Sequence, residues 1–194
     1  KLENKIFTRE IFQKYENIIF PKTINETLDP YKETGEMDLV DFGFRVLLNL
    51  TADFSGIDRP LKSKKETETL LRLLKIFASG ATLHHSTRDH DEVKEEVREA
   101  LKEFDRDFLT PSIERRKSII NQNSNEDLPN DILTVLLVND DQLNMPYDVL
   151  QREIAFYLLA GAQTSIHSLV HTFHEIRTWL ENNPSRKDDI TNDP

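Results

Sequence analysis

Apolar residues in this chain recur at spacings of three and four over most of its length, and they seldom alternate with polar ones. That periodicity predicts helices and hardly any strand. Residues 1–31 hold two such pieces, Ile6-Phe7-Ile11-Phe12-Tyr15 and Ile18-Ile19-Ile24-Leu28, with Thr8 as a helix cap and Pro21 as a kink or restart. A turn around Gly35 follows. Residues 37–54 read as a buried helix ending at Ser55-Gly56, with a strand as the competitor over residues 37–42. After a polar connection holding Pro60, residues 64–80 predict an amphipathic helix with Leu70, Leu71, Leu73, Leu74 and Phe77 inward. Residues 81–90 read as a loop. Residues 91–108 predict a charged helix whose buried side is Val93, Val97, Leu101, Phe104 and Phe108, with Pro111 kinking it or restarting it under a Thr110 cap. Residues 121–130 are loop, and residues 131–138 a short apolar helix.

The longest element runs over residues 145–183. Asn144 can cap it, Pro146 suits its first turn, and Asp148 complements the positive end of the dipole. Asn182 and Asn183 tolerate a left-handed C-terminus, and Pro184 cannot continue a helix. Residues 154–160 are apolar on every side, as in a fully buried segment, and Ile166, Leu169, Val170, Phe173, Ile176 and Leu180 continue as a stripe. Between them stands Ala160-Gly161-Ala162-Gln163-Thr164-Ser165. A mid-helix glycine costs about 1 kcal/mol relative to alanine, and Thr164 can turn its hydroxyl onto the carbonyl of Ala160 and bend the helix. Two readings are open. Small residues at Ala160 and Gly161 let something flat lie against the backbone beside the polar groups of Gln163 and Thr164, or they let another helix cross closely.

Composition adds limits. At 194 residues, 37% hydrophobic and 31% charged, the chain is of globular composition, with length for one domain or slightly more. A net charge of −10 argues against nucleic acid and anionic membrane as partners. No apolar run is long enough to span a bilayer, and Lys1 opens no signal peptide. With no cysteine, disulfides and thiolate metal sites are excluded among these residues. A helix of this length spans roughly 55 Å, against a diameter of roughly 42 Å for a compact globule of the same chain. The expectation is therefore a single helical domain over residues 1–194 that is incomplete by itself.

Few constellations carry chemistry. Phosphate loops and nucleophile elbows are absent from the sequence. Glu95 and Arg98 have the spacing of a surface ion pair. His84, His85 and His90 fall in a loop. His167, His171 and His174 share one face of the long helix with Phe156, Ala160, Gln163 and Thr164. Three ligands on one straight helix rarely close a tetrahedron, so no metal site is expected. His167 stands out as a polar neighbour one turn beyond Thr164.

The segment EIAFYLLAGAQTS, residues 153–165, resembles the central helix of the cytochrome P-450 family, the heme-thiolate monooxygenases, whose pattern is Ala or Gly, Gly, any residue, an acid, Thr, then Thr or Ser. The approach through Asp131-Ile132-Leu133, Leu143 and Glu153, and the exit WLENNP at residues 179–184, are similar to that family. So are residues 37–54 followed by Gly56-Ile57-Asp58. Residues 64–120 resemble the substrate-covering helix pair, its core at residues 64–118. The resemblance covers most of the chain, but only the central-helix motif is specific.

The resemblance implies an all-α fold and a monooxygenase of the cytoplasm. It would use heme, dioxygen and electrons from a ferredoxin- or reductase-type partner to oxidise a hydrophobic small molecule. Ala160 and Gly161 would lie over the heme, Thr164 would hydrogen-bond dioxygen and steer O–O cleavage, and Phe156 and Leu159 would touch substrate. Gln163 stands where the family has an acid. An amide can orient water but cannot relay a proton by ionising, which leaves His167 as a relay. The family's cysteine ligand and E-x-x-R come after the central helix, and neither follows it here before Pro194. The activity would therefore belong to a longer protein. Two alternatives stay open: a non-enzymatic helical ligand-binding or interaction module, and an inactive relative of the family.

Overall fold

The computed structural model of the chain describes residues 7–59, 63–122 and 128–191. Among them the fold is all-α, with no strand. The elements are α1 (Arg9–Lys14), α2 (Phe20–Lys32), α3 (Leu39–Ser55), α4 (Lys64–Ala81), α5 (His90–Phe104), α6 (Thr110–Asn121), α7 (Ile132–Val138), α8 (Asp140–Leu143), α9 (Tyr147–Asn182) and α10 (Lys187–Thr191). Short 3₁₀ turns at Leu83–His85 and Pro184–Arg186 join α4 to α5 and α9 to α10.

Local chemistry sets most helix ends. Thr8 caps α1, accepting from Ile11 N at 3.4 Å. Asp38 accepts from Val40 N and Asp41 N at the start of α3, so residues 37–42 enter a helix and not a strand. Ser63 and Glu66 form a reciprocal capping box at the start of α4. Gly56 closes α3 in the left-handed conformation, φ 89°. Two expected caps are otherwise employed. Asn144 is left-handed, φ 43°, and ends α8, while Pro146 precedes α9 without a side-chain cap. Thr110 lies inside a continuous helix and turns its hydroxyl to Asp105 at 3.1 Å. Pro184 does stop α9, but Asn183 sits at φ −135°, outside the left-handed region.

Pro21 and Pro111 neither break nor restart their helices. Each is preceded by a five-residue π turn, Tyr15–Ile19 and Asp105–Leu109, ending two residues before the proline. A proline ring collides with the carbonyl four residues back and supplies no N–H. The extra residue of a π turn widens the ladder where that carbonyl stands. α1 and α2 therefore run on without interruption through the π turn, as do α5 and α6.

The core gathers Leu48 and Ala52 of α3, Leu70, Leu73 and Leu74 of α4, Phe104 of α5, Ile132 and Leu133 of α7, and Ile154 and Leu158 of α9. Phe77 meets Phe104 edge-on at 5.7 Å between centroids. α3 lies antiparallel along α9. Its Gly43 approaches Leu169 and its Thr51 approaches Gly161, so advancing along one helix retreats along the other. A smaller cluster of Phe42, Val46 and Leu50 seats α3 on Ile19, Leu28 and Tyr31. The 36-residue α9 is about twice the length of the 17-residue α3. Its stripe accordingly runs out of partners. Ile166 is buried, Leu169 and Val170 are half-buried, and Phe173 is 47% exposed.

Tyr31, Asp41 and Arg45 form a small polar node on the α2–α3 seam. Both Tyr31 Oη, at 2.9 Å, and Arg45 Nε, at 2.8 Å, donate to Asp41 Oδ2. The Arg45 hydrogen bond, helped by that of Tyr31, holds the Asp41 carboxyl below the usual aspartate range. A folded-state pKa below the unfolded one adds stability above the unfolded value of about 4 that is lost as pH falls through the folded one. Thermal melts of wild type and Asp41→Asn should therefore differ near neutrality and converge below about pH 4. A gap that persists unchanged into acid would rule out this linkage.

Candidate functional site on the open face of the long helix

The end of α4, the body of α5 and the first third of α9 border an apolar groove of about 470 Å³. That is within the usual ~300–1,000 Å³ of small-molecule sites. Phe77, Gly80, Ala81 and Leu83 line it from α4 and the turn after it, Val93, Val97 and Leu101 from α5, and Ala155, Phe156 and Leu159 from α9. Val97 and Leu101 belong to the stripe expected in the core, yet both stay half-buried because they face this groove. Phe156 is 59% exposed. The expectation that residues 154–160 are buried on all sides thus fails on this side. The other helices cover the side of Ile154, Ala155 and Leu158 and leave that of Phe156 open.

Two ties fix how α5 meets α9. The Tyr147 hydroxyl donates to the Asp105 carboxylate, and Gln151 Nε2 donates to Leu101 O at 3.2 Å. Thr110 Oγ1 lies 3.2 Å from the Tyr147 hydroxyl and completes a clasp between the π turn and the start of α9. Partial burial, then the hydrogen bond to Asp105, pushes the Tyr147 phenol above its ordinary value. The sequence holds no periodic sign of this clasp, since its two sides come from stretches about forty residues apart.

One turn beyond Phe156 the motif residues divide between two faces. At 100° per residue Gly161 is turned away from Ala160 and toward α3. A Cβ built on Gly161 would meet Thr51 Cγ2 at 2.6 Å. Gly161 is therefore a helix-crossing residue, and the surface left for a flat partner consists of half-buried Ala160 and exposed Thr164. Thr164 donates its hydroxyl to Ala160 O at 2.7 Å, the back-bond expected of it. The Oε1 atom of Gln163 is buried with no donor facing it.

His167, His171 and His174 are exposed along the same side of α9. No group of three or more His, Asp or Glu among the described residues is arranged to hold a metal ion. The rings of His84 and His85 lie 3.9 Å apart and tilted by 45° on the 3₁₀ turn, and neither lines the groove. Glu95 and Arg98 pair on the surface as their spacing implies. Arg98 also lines the groove, a role that its ion-pair spacing alone did not reveal. No described helix is long and apolar enough to cross a membrane. No family model, curated protein or solved structure matches the chain, so the chemistry of this face rests on its own residues.

Proposed function

We propose that this chain supplies the substrate-covering and heme-facing helices of a cytochrome P-450-type monooxygenase that oxidises a hydrophobic small molecule. The observation carrying this reading is that Phe156 and Leu159 line an apolar groove together with α4 and α5, the pair that resembles the family's substrate cover. Ala160 and Thr164 follow on the same open side of α9.

The residues present fit the face of a heme but not its axial bond. Ala160 is small enough for a macrocycle to rest against, and Thr164 is exposed beside it. With no cysteine in the sequence, a thiolate must come from outside these residues. Heme, when bound, supplies the redox-active iron that activates dioxygen with electrons from a ferredoxin- or reductase-type partner. The chain's own part is to bind and to manage protons. The groove strips water from an apolar substrate. Thr164 Oγ1, whose proton goes to Ala160 O, keeps lone pairs to accept from a water or a protonated group. The Gln163 Oε1 atom is buried without a donor, and an amide turned outward beside Thr164 would satisfy it by accepting a second such hydrogen bond. An amide cannot ionise, so a relayed proton must pass through another group, and exposed His167 one turn on is the nearest titratable side chain on that face.

The reading is tested on the complete reading frame. A heme protein whose reduced carbon monoxide complex has the red-shifted Soret band of a thiolate ligand is expected. Gln163→Glu should raise substrate turnover and lower hydrogen peroxide leakage, since an ionisable side chain then stands beside Thr164. A purified product that carries no heme would overturn the reading. A second reading, a non-enzymatic helical ligand-binding module, draws on Gly161 being accounted for by packing on Thr51. In that case the groove would bind apolar ligands in a protein without heme.

A further inference from the structure

The groove is apolar within, but its charged lining residues are Lys94, Arg98 and Arg152, with no aspartate or glutamate among them. This is a marked imbalance in a chain with 35 acids and 25 bases. The ties from Tyr147 to Asp105 and from Gln151 to Leu101 O set the register of two antiparallel helices, each tie four residues on from the other. By that register Arg98 of α5 stands opposite Arg152 of α9 to within about 3 Å along the axes. Lys94 falls about one turn further on, toward the Leu159 end. Two guanidinium groups thus flank one end of an apolar trough.

Neither guanidinium is committed to a strong partner. Arg98 pairs with Glu95 and Arg152 with Asp148, each on its own helix within one turn, and both arginine side chains are exposed. Exposed pairs of this kind, within one helix, contribute little to stability. A carboxylate held by two planar forks offers shorter, charge-assisted hydrogen bonds. The aliphatic stems of the arginines meanwhile extend the apolar wall.

From this we infer that the groove takes an amphipathic carboxylate, an apolar chain lying between α5 and α9 with its carboxylate between Arg98 and Arg152. The inference rests on the reading above only in taking the groove as the substrate site. Decanoate and decan-1-ol titrated calorimetrically into the purified chain at low salt test it. Decanoate is expected to bind about tenfold more tightly, equivalent to about 1.4 kcal/mol, and the preference should shrink as salt is added. The double variant Arg98→Gln/Arg152→Gln, with an unchanged far-ultraviolet circular dichroism spectrum, should lose the preference while binding decan-1-ol as before.

Equal binding of the two ligands would overturn the carboxylate inference and leave the apolar substrate groove standing. A preference that survives in the double variant would also overturn it, by placing the head group elsewhere. Binding of neither ligand would sink both this inference and the groove as a substrate site. Selective decanoate binding in a protein whose full reading frame carries no heme would support the inference and remove the monooxygenase reading alone.

Discussion

Replacing Arg116 by alanine is expected to lower the unfolding free energy by about 3–5 kcal/mol, the cost of stripping one partner from a buried ion pair. Arg116 and Asp131 are each 2% exposed, and Arg116 Nη2 donates to Asp131 Oδ2 at 2.7 Å. The same guanidinium donates to Thr134 Oγ1 at 3.0 Å, Asp58 Oδ2 at 3.1 Å and Ser112 O at 3.0 Å. One side chain thus ties the exit of α3, the middle of α6 and the start of α7. Asp131 also accepts from Thr134 N at 2.8 Å and caps α7. Losing the arginine leaves that carboxylate buried, charged and short of its donor.

Urea denaturation would measure the loss. The neighbouring Arg115 is a fitting control, because it is half exposed and meets Asp58 at 3.3 Å. Arg115→Ala should cost less than about 1 kcal/mol. Adding Asp131→Asn to Arg116→Ala removes the stranded charge while keeping a capping oxygen, so it should recover part of the loss. Equal costs for the two arginines would refute the buried knot.

Gly161→Ala sets two effects against each other. Helix propensity alone predicts a gain of about 1 kcal/mol. Packing predicts a loss, because the new Cβ falls 2.6 Å from Thr51 Cγ2 and 3.1 Å from Thr51 Oγ1. Thr51 cannot easily turn aside, since its hydroxyl donates to Leu47 O at 2.7 Å and its Cβ also lies within 3.5 Å. Overpacking of this kind costs about 1–3 kcal/mol, so against the propensity gain a net loss of up to roughly 2 kcal/mol is expected. Thr51→Ser deletes the offending methyl and retains the hydroxyl, and in the Gly161→Ala background it should restore most of the stability. Thermal melts of the four proteins in this cycle decide the point. A Gly161→Ala protein more stable than wild type would mean that the two helices are not held as close as described.

That glycine also marks where sequence reasoning stops. The small residues at 160 and 161 were compatible with a flat ligand or with a close helix, and the one-dimensional pattern held no means of choosing. The choice lay in Thr51, more than a hundred residues away in the chain and brought alongside by the antiparallel packing of α3. The rim of the groove is a similar case. Arg98 and Arg152 each look like one half of a local ion pair until α5 and α9 are set side by side. Arg116, in the run Ile-Glu-Arg-Arg-Lys, has nothing local to distinguish it from its exposed neighbour Arg115.

The short α8 and α10 were not foreseen from the sequence. What the sequence determined by itself is the helical class, the order of the longer helices and most of their ends, along with the reach of the long helix, expected over residues 145–183 and found over Tyr147–Asn182. These depend on interactions between residues within a turn or two of each other: apolar spacing, capping side chains, the left-handed freedom of Gly56, and a proline's missing N–H. Tertiary structure alone decided which side of α9 is covered, which cations share a groove, and how two prolines are absorbed by π turns without ending their helices. Burial is a property of what lies opposite. A residue's partner across a helix interface is set by the placement of whole elements, and no local spacing encodes it.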